Sequence, residues 1–392
     1  MIAADDVVLA IDAATGKTKW KAVFADKGAN NPPSKRGGWA VTPVYHDGTV
    51  FSVGTTGRIY ALDAATGKVR WESNVGPAHE QREKAKRQAL ANPSGGLARL
   101  QGMEASPLVA DGVLIVPTYA ESADLGLIGY DAATGKRLWE VPKATFRMGA
   151  PAIWRHEGRQ YVLAGASAGH LQLIDAKSGK VLWKRSGLGP QVESLAPAGK
   201  YVLVDVNPAA KVKGDAPALR KYGAVRLDVA KPEIVWKLPD RREYQTGSKG
   251  DGQVYRRVSP RGEFFDLLLP NEHHRDELKA RWLTVNAADG KIVSYHTLAD
   301  VSCPWPGVFV WIGSRGLFNQ DAAHCENRFQ WIELAEGKPR PLRGLWHPSS
   351  KQEDATGYMT PMQTPILDGF LYLRTSVGMV RCYDLRKQPE GQ

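Results

Sequence analysis

Acidic side chains recur in this 392-residue chain at a fixed distance from a threonine, a Gly-Lys pair and a tryptophan. The clearest copy runs from Asp63 through Thr66 and Gly67 to Trp71. Evenly spaced carboxylates could act as bases or metal ligands. However, Asp and Thr side chains also satisfy turn backbone groups, Gly supplies the positive φ of a tight hairpin, and Trp fills wide gaps between packed sheets. We therefore assign a structural role to the repeated residues Asp12, Gly16, Trp20, Asp63, Gly67, Trp71, Asp131, Gly135, Trp139, Asp175, Gly179, Trp183, Asp228 and Trp236.

A second candidate for chemistry is the segment 271–277, which contains the adjacent residues His273 and His274. Neighbouring histidines in an extended loop rarely converge on one ion, and the sequence supplies no third ligand at a suitable spacing. We therefore favour a solvated loop here and predict no metal site.

The three cysteines form neither a CxxC pair nor a metal-binding knuckle. A disulfide between Cys303 and Cys325 is a hypothesis that requires an oxidising compartment and a Cα separation below about 7 Å. Cys382 falls inside a predicted strand, where we expect a buried packing residue.

The repeated motif indicates how the chain is built. It returns about every fifty residues, and each unit divides into four short runs of alternating β-branched and aromatic residues, which is the signature of a propeller blade. In one unit these runs are 41–45, 49–53, 58–63 and 69–71, here called strands A, B, C and D. Residues 1–392 are expected to form a single all-β domain.

The number of blades follows from how the strands are shared. The chain opens on a C strand at 7–12 and stops just after another C strand. We expect an eight-bladed β-propeller of four-stranded antiparallel blades whose last blade takes its D strand from the N-terminus. The A and B strands of the first blade, and any signal peptide, would then lie upstream. The alternative is seven blades, closed by 17–23 as strand D.

Repeats of the form Ala-x-Asp-x-x-Thr-Gly-Lys-x-x-Trp resemble the PQQ-like repeats of the quinoprotein alcohol dehydrogenase-like propellers. The resemblance covers almost the whole chain and implies the fold. The superfamily it points to contains both pyrroloquinoline-quinone (PQQ) dehydrogenases and non-enzymatic propellers of the BamB type, so it leaves the activity open.

Composition restricts the partners. The formal net charge is +11, which attracts anions. We assign most of it to exposed turn lysines, and because no nucleic-acid-binding motif accompanies it we expect no nucleic-acid partner. No apolar run approaches about 18 residues, so no transmembrane segment is expected. Residues 1–6 lack signal-peptide features: the sequence as written predicts a cytoplasmic protein, whereas the repeat count favours a periplasmic or secreted parent.

The connections at the two ends of the strands differ. The A–B and C–D turns are short and contain glycine, whereas the B–C and D–A connections vary in length, and such elaboration marks a binding face. One connection should carry a solvated helical loop at 78–91, where Glu80 and Lys84 form a favourable i,i+4 pair. The elaborated connections are 25–38, 73–102, 205–222, 240–252, 270–280, 314–327 and 347–357.

Residues just before each A strand should line the mouth of the central channel, where mixed charge with Trp and Met is compatible with a small-molecule or peptide ligand. These predicted ligand-binding residues are Trp39, Met103, Glu104, Arg147, Met148, Glu193, Arg256, Met362 and Gln363.

Two functions remain open at this point. The first is a monomeric, non-catalytic binding or scaffolding propeller of the bacterial cell envelope, without a cofactor, that presents its loop face to a protein, polysaccharide or small molecule. The alternative is a quinoprotein dehydrogenase that oxidises an alcohol or sugar with PQQ and Ca²⁺. The resemblance implies an adjacent Cys-Cys pair, an Asp base and a Glu/Asn/Asp calcium set for such enzymes. No two cysteines here are adjacent, and no segment matches the other motifs, so we favour the first function.

Overall fold

The secondary structure of the described residues is almost entirely β. Glu80, in the segment predicted as a helical loop, is the one described residue in α-helical conformation. The computed structural model describes residues 2–4, 7–24, 42–54, 57–76, 80, 106–118, 124–146, 151–166, 169–188, 195–206, 222–239, 257–269, 280–298, 305–312, 315–322, 325–335, 338–341, 366–374 and 380–386.

The chain divides into two compact units, Met1–Ser186 and Gly187–Gln392. The strands of the first unit are β1 Ile2–Ala4, β2 Val7–Ile11, β3 Thr18–Val23, β4 Val44–His46, β5 Thr49–Val53, β6 Arg58–Asp63, β7 Val69–Asn74, β8 Leu108–Ala110, β9 Val113–Pro117, β10 Asp124–Asp131, β11 Arg137–Phe146, β12 Ala152–His156, β13 Arg159–Ala166, β14 His170–Asp175 and β15 Val181–Ser186. Those of the second unit are β16 Pro197–Ala198, β17 Tyr201–Asp205, β18 Tyr222–Arg226, β19 Glu233–Lys237, β20 Arg257–Arg261, β21 Phe264–Leu269, β22 Ala280–Asn286, β23 Ile292–Leu298, β24 Trp305–Ile312, β25 Arg315–Ala322, β26 Cys325–Ala335, β27 Lys338–Pro341, β28 Ile366–Leu367, β29 Phe370–Arg374 and β30 Val380–Asp384.

Strands that follow one another in the chain pair as antiparallel neighbours, so each sheet is a meander of strands A, B, C and D. Among the described residues six sheets have four strands, from β4–β7 to β24–β27, whereas β1–β3 and β28–β30 have three each. The expectation of eight four-stranded blades is therefore corrected to six complete ones in this part of the chain. Strand β1 was also missed, since the short run Ile2–Ala4 pairs with β2 through Ile2 and Leu9.

Six of the seven described C–D hairpins contain a β-bulge at the same place, whereas the pairing of β26 with β27 is regular. In the sheet β4–β7, Ala61 pairs with Trp71 but Leu62 pairs with Val69, so that Arg70 is the extra residue. The same register shift occurs in five further described hairpins, next to Trp20, Trp139, Trp183, Trp236 and Ser294. Because a bulge redirects the side chains that follow it, this repeated irregularity sets the direction of the tryptophan.

The apolar core lies between successive sheets. One cluster joins Val8 and Trp20 of the sheet β1–β3 to Val50 and Leu62 of the next sheet, all of them buried. Similar clusters join the next two pairs of sheets in the first unit, and one joins β16–β19 to β20–β23 in the second. Burying both faces of a sheet explains why β5, β9 and β14 are buried along their whole length.

One predicted connection is mostly strand. The segment 314–327 was expected to be a loop, but Arg315–Ala322 forms β25 and Cys325 opens β26. The polar residues of this segment pair in an extended hairpin, for example Gln320 with Arg328, and polar composition alone does not distinguish such a hairpin from a loop. Its prediction as an elaborated connection was therefore wrong for most of its length.

Candidate functional site

The carboxylates of the repeated motif are fully engaged in their own turns. Oδ1 of Asp63 accepts hydrogen bonds from the backbone N–H of Ala65 at 3.1 Å and from the N–H and hydroxyl of Thr66 at 2.9 Å each, and Oδ2 accepts one from Arg70 at 2.6 Å. The hydrogen bonds from Arg70 and then from Thr66 lower the pKa of Asp63 to about 2. Such a carboxylate is ionised at neutral pH and is too weak a base to take up a substrate proton.

The other copies repeat this geometry. Hydrogen bonds from Thr15 lower the pKa of Asp12, and those from Thr134 lower the pKa of Asp131. At Asp175 burial opposes the shift, but hydrogen bonds from Ser178 and the charge of Arg159 leave the pKa lowered. Asp228, whose turn lacks the glycine, keeps one bond of the pattern, from the N–H of Ala230 at 2.8 Å.

The tryptophans of four motifs bond to the next blade. The indole N–H donates a hydrogen bond to a backbone oxygen in that blade. The accepting residue comes directly after the Asp or Asn of that blade's motif. These bonds join Trp20 to Ala64 at 3.0 Å, Trp71 to Ala132 at 3.1 Å, Trp139 to Ala176 at 3.1 Å and Trp236 to Ala287 at 2.9 Å. The C–D hairpins therefore serve to connect blades.

The opposite ends of the strands, from which the B–C and D–A connections emerge, are the candidate functional site. The starts of two neighbouring A strands are joined there, because the N–H of Thr42 donates to the Ser106 hydroxyl oxygen at 3.2 Å. These are the described residues closest in sequence to Trp39, Met103 and Glu104. All nine predicted channel-mouth residues, from Trp39 to Gln363, lie outside the described residues, so their grouping stays a prediction.

Two buried polar side chains stabilise this end of the first unit. His170 and Gln172, at the start of β14, contact backbone oxygens of the preceding blade: His170 Nε2 lies 3.2 Å from the oxygen of Lys143, and Gln172 donates to that of Ala144 at 3.0 Å. The two oxygens face outward because the register of β10 and β11 shifts between Leu125 and Leu127. Polar residues at the start of an otherwise apolar strand are the sequence signal for this contact.

The second unit contains a buried polar cluster that the sequence did not lead us to predict. Asp266 is fully buried in β21, where its carboxylate accepts hydrogen bonds from Arg261 Nε at 2.7 Å and from the Thr284 hydroxyl at 2.7 Å. The Thr284 oxygen accepts in turn from the Trp282 indole at 2.9 Å. An acid within the apolar run Phe264–Leu269 was the signal for it. With its charge paired, the carboxylate is suited to packing two sheets together.

The guanidinium of Arg261 extends this cluster to the neighbouring blade. Its central carbon lies 5.1 Å from the ring centre of Phe264 and 5.2 Å from that of Trp311 in β24, distances typical of cation–π contacts. The rings of Trp282 and Trp311 meet edge to face with centres 5.7 Å apart. The sheets β20–β23 and β24–β27 therefore meet through charged and aromatic groups.

The remaining predicted sites are largely untested. Cys303, the histidines 273 and 274 and all of 78–91 except Glu80 lie outside the described residues, so the disulfide and the solvated loops stay predictions. Cys382 lies in β30 as expected, but it is exposed and unpaired. Its burial was wrongly predicted because the edge of a three-stranded sheet leaves the side chain open to solvent.

No group of three or more His, Cys, Asp or Glu side chains among the described residues could hold a metal ion. No described helix is long and apolar enough to cross a membrane.

Curated relatives of two kinds match this sequence. A polyvinylalcohol dehydrogenase from Sphingopyxis is 27% identical over 59% of this chain and 42% of its own length. The outer membrane protein assembly factor BamB of Yersinia pestis is 28% identical over 51% of this chain and 44% of its own length. The chain thus spans less than half the length of these relatives.

Solved structures establish the fold. The BamB structure from Moraxella catarrhalis has a TM-score of 0.60 at 12% identity and covers 98% of this chain and 91% of its own. The quinohemoprotein alcohol dehydrogenase from Comamonas testosteroni has a TM-score of 0.53 at 15% identity, covering 94% and 67% respectively. The predicted all-β propeller of four-stranded antiparallel sheets is therefore confirmed.

The sequence model of one family matches residues 4–271, which include the four best copies of the repeated motif and more than half of the chain. The chain therefore belongs to the PQQ-like repeat family described as outer membrane protein assembly factor BamB.

Proposed function

We propose that this chain is a non-catalytic binding propeller of the bacterial cell envelope whose loop-bearing face holds a protein partner. The family match over residues 4–271 carries the proposal, because the family's printed description is that of an assembly factor. The engagement of the repeated carboxylates in turns supports it, since their positions supply structure rather than chemistry. The other candidate ligands of the loop face are a polysaccharide and a small molecule.

The finer features of the proposal concern the whole protein. We propose a single, monomeric domain. We place it in the periplasm and assign it no cofactor. Its contacts with the partner would include the channel-mouth residues Trp39, Met103, Glu104, Arg147, Met148, Glu193, Arg256, Met362 and Gln363.

A pair of photo-crosslinking variants tests the face of contact. Ser186 is exposed at the loop-bearing end of β15, and Ala133 is exposed in the C–D turn at the other end of the strands of the same unit. A benzophenone side chain at Ser186, but not at Ala133, should give a discrete crosslinked protein from bacterial outer-membrane extract. Equal crosslinking at both positions, or none at Ser186, would contradict a loop-face partner.

The second candidate function is that of a quinoprotein dehydrogenase, which the similarity to polyvinylalcohol dehydrogenase favours. The described residues do not fit its calcium ion, because their repeated carboxylates are consumed by turn hydrogen bonds and no three acidic, His or Cys side chains converge. Titration with PQQ and Ca²⁺ separates the two functions. We expect no saturable change in quinone absorbance; stoichiometric binding followed by dye reduction with an alcohol would establish the enzyme.

A further inference from the structure

Four lysines of the first unit occupy the same position in successive C–D turns. Each directly follows the motif glycine, and each is exposed: Lys17, Lys68, Lys136 and Lys180. The glycines before them have φ values between 69° and 74°, so the turns share one conformation. Four consecutive blades therefore present a lysine at the same corner.

At three of the four turns the acid beside the lysine is paired with another basic residue. Lys19 pairs with Asp12 at 3.4 Å and Arg70 with Asp63 at 2.6 Å. Asp175 is likewise paired with Arg159, whereas Asp131 interacts with the charge of Lys136. Within the described part of the chain none of the four turn lysines forms a salt bridge, so the turns of Lys17, Lys68 and Lys180 keep an exposed positive charge.

Exposed aliphatic side chains accompany three of these lysines. Val69 follows Lys68 and is 44% exposed, Leu138 is two residues after Lys136 and is 45% exposed, and Val181 follows Lys180 and is 37% exposed. Single exposed aliphatic residues are ordinary on a protein surface. Their recurrence beside a lysine in three consecutive hairpins makes a repeated basic and apolar pair.

The A–B turns on the same face are acidic in two of these blades. They carry Asp47 and Glu157, each close to a histidine, with His46 3.3 Å from Asp47 and His156 3.6 Å from Glu157. Strand A is the first strand of each of these two sheets and strand D the fourth. In both blades the exposed turn lysine therefore lies on the C–D side, next to a motif aspartate that is already paired with an arginine.

We propose that the turn rim, defined as Lys17, Lys68, Lys136 and Lys180 with Val69, Leu138 and Val181, docks on an anionic phospholipid surface. Lysines near an anionic bilayer are attracted to it, and short aliphatic side chains can enter the boundary between headgroups and acyl chains. A surface, unlike a pocket, is contacted by equivalent points on successive blades. A phospholipid surface is favoured over a nucleic acid because the aliphatic residues would have no apolar partner on a phosphate backbone.

Vesicle co-sedimentation of the full chain tests this docking. The chain should bind vesicles of phosphatidylcholine with about 30% phosphatidylglycerol and lose most binding as salt rises above about 0.1 M, where the Debye length falls below ~10 Å. Each lysine near the surface contributes about fivefold. The variant K68E/K136E/K180E should therefore bind these vesicles at least about 100-fold more weakly.

A control variant with the same change of charge is K21E/K184E/K237E, whose lysines are exposed within D strands rather than at the turns. It should lose less than about fivefold, because those side chains are not at the rim. Equal losses in the two variants would show general charge attraction and overturn the docking.

The apolar half of the rim is tested by V69S/L138S/V181S, which leaves the charge unchanged and, since these side chains are exposed, the fold intact. Vesicle binding should fall about tenfold. Unchanged binding by this variant would overturn the proposal, as would equal binding of the native chain to pure phosphatidylcholine vesicles. If the chain did not bind vesicles but was retained on immobilised single-stranded DNA, the rim would be assigned to a nucleic acid. None of these outcomes depends on the partner of the loop face.

Discussion

The indole ring of Trp71 lies directly against Gly135 of the next blade. A Cβ built on Gly135 would be only 2.6 Å from Cε3 of Trp71, and the Trp71 N–H donates to the Ala132 oxygen three residues before that glycine at 3.1 Å. The same contact recurs between Trp20 and Gly67, Trp139 and Gly179, and Trp236 and Gly290. The motif glycine therefore has two roles, a positive φ and a surface for the neighbouring tryptophan.

The two roles can be separated by comparing Gly135→Ala with Gly112→Ala. Both glycines have φ of 74°, but no atom lies within 4 Å of a Cβ at Gly112. Gly112→Ala should lower the free energy of unfolding by about 1 kcal/mol through backbone strain. Gly135→Ala should lower it by about 2–4 kcal/mol, because it also displaces Trp71. Urea unfolding followed by tryptophan fluorescence measures both; equal costs would mean that the ring contact is unimportant.

Acid should weaken the fold partly through Asp63. Its pKa of about 2 in the folded chain lies below the ordinary value of 3.8, so the stability it contributes is present above about pH 4 and is lost as the pH falls through about 2. Asp63→Asn should therefore be less stable than the native chain at pH 6, and the difference should be much smaller near pH 2. Thermal unfolding at both pH values gives the comparison. Arg70→Gln should show the same trend, since Arg70 is the main cause of the shift; an unchanged difference between the two pH values would contradict this assignment.

The buried ion pair should matter more than an exposed one. Asp266→Asn should destabilise the chain by about 3–5 kcal/mol, because it leaves the Arg261 charge without its buried partner. Glu233→Gln, which breaks the exposed pair with Arg226 in the same unit, should cost at most about 1 kcal/mol. Urea midpoints of the two variants test this, and similar midpoints would mean that solvent reaches the Asp266 cluster.

Thiol titration tests the predicted cysteine chemistry. Cys382 is exposed, so the native protein should react with one equivalent of a thiol reagent, and Cys382→Ser should abolish this reaction. If Cys303 and Cys325 form the predicted disulfide, denaturation without reductant should expose no further thiol. A rise to all three cysteines would exclude the disulfide.

The repeated turns could be predicted from the sequence in atomic terms because their determinants are local. Asp63, Thr66 and Gly67 lie within five residues of each other, and short-range hydrogen bonds with a positive φ are encoded by residue type. The inter-blade position of Trp71 followed from its size. The bulge at Arg70 did not, since it depends on register between two strands rather than on composition.

Polar contacts between residues far apart in the sequence could not be predicted from it. Asp266 contacts Thr284 on a neighbouring strand, and Arg261 connects Asp266 to Trp311. No spacing pattern in the sequence indicates that these residues meet. The exposure of Cys382 was missed for a related reason, because strand content does not reveal which sheet edge stays open. The variable lengths of the B–C and D–A connections indicated that binding should occur at the loop-bearing face. The sequences of these long connections have no periodic pattern, so the positions of their individual side chains could not be predicted.

The contact from Trp71 to Ala132 and Gly135 has a direction: at the four described junctions of this kind, each blade donates to the one that follows. A head-to-tail interface of this kind is the same at every junction where the motif is complete. Duplication or loss of one whole repeat during evolution would therefore recreate the same junction, whereas a partial repeat would leave an indole without its carbonyl. Selection can thus change the number of repeats in whole steps while the chemistry of each junction stays constant.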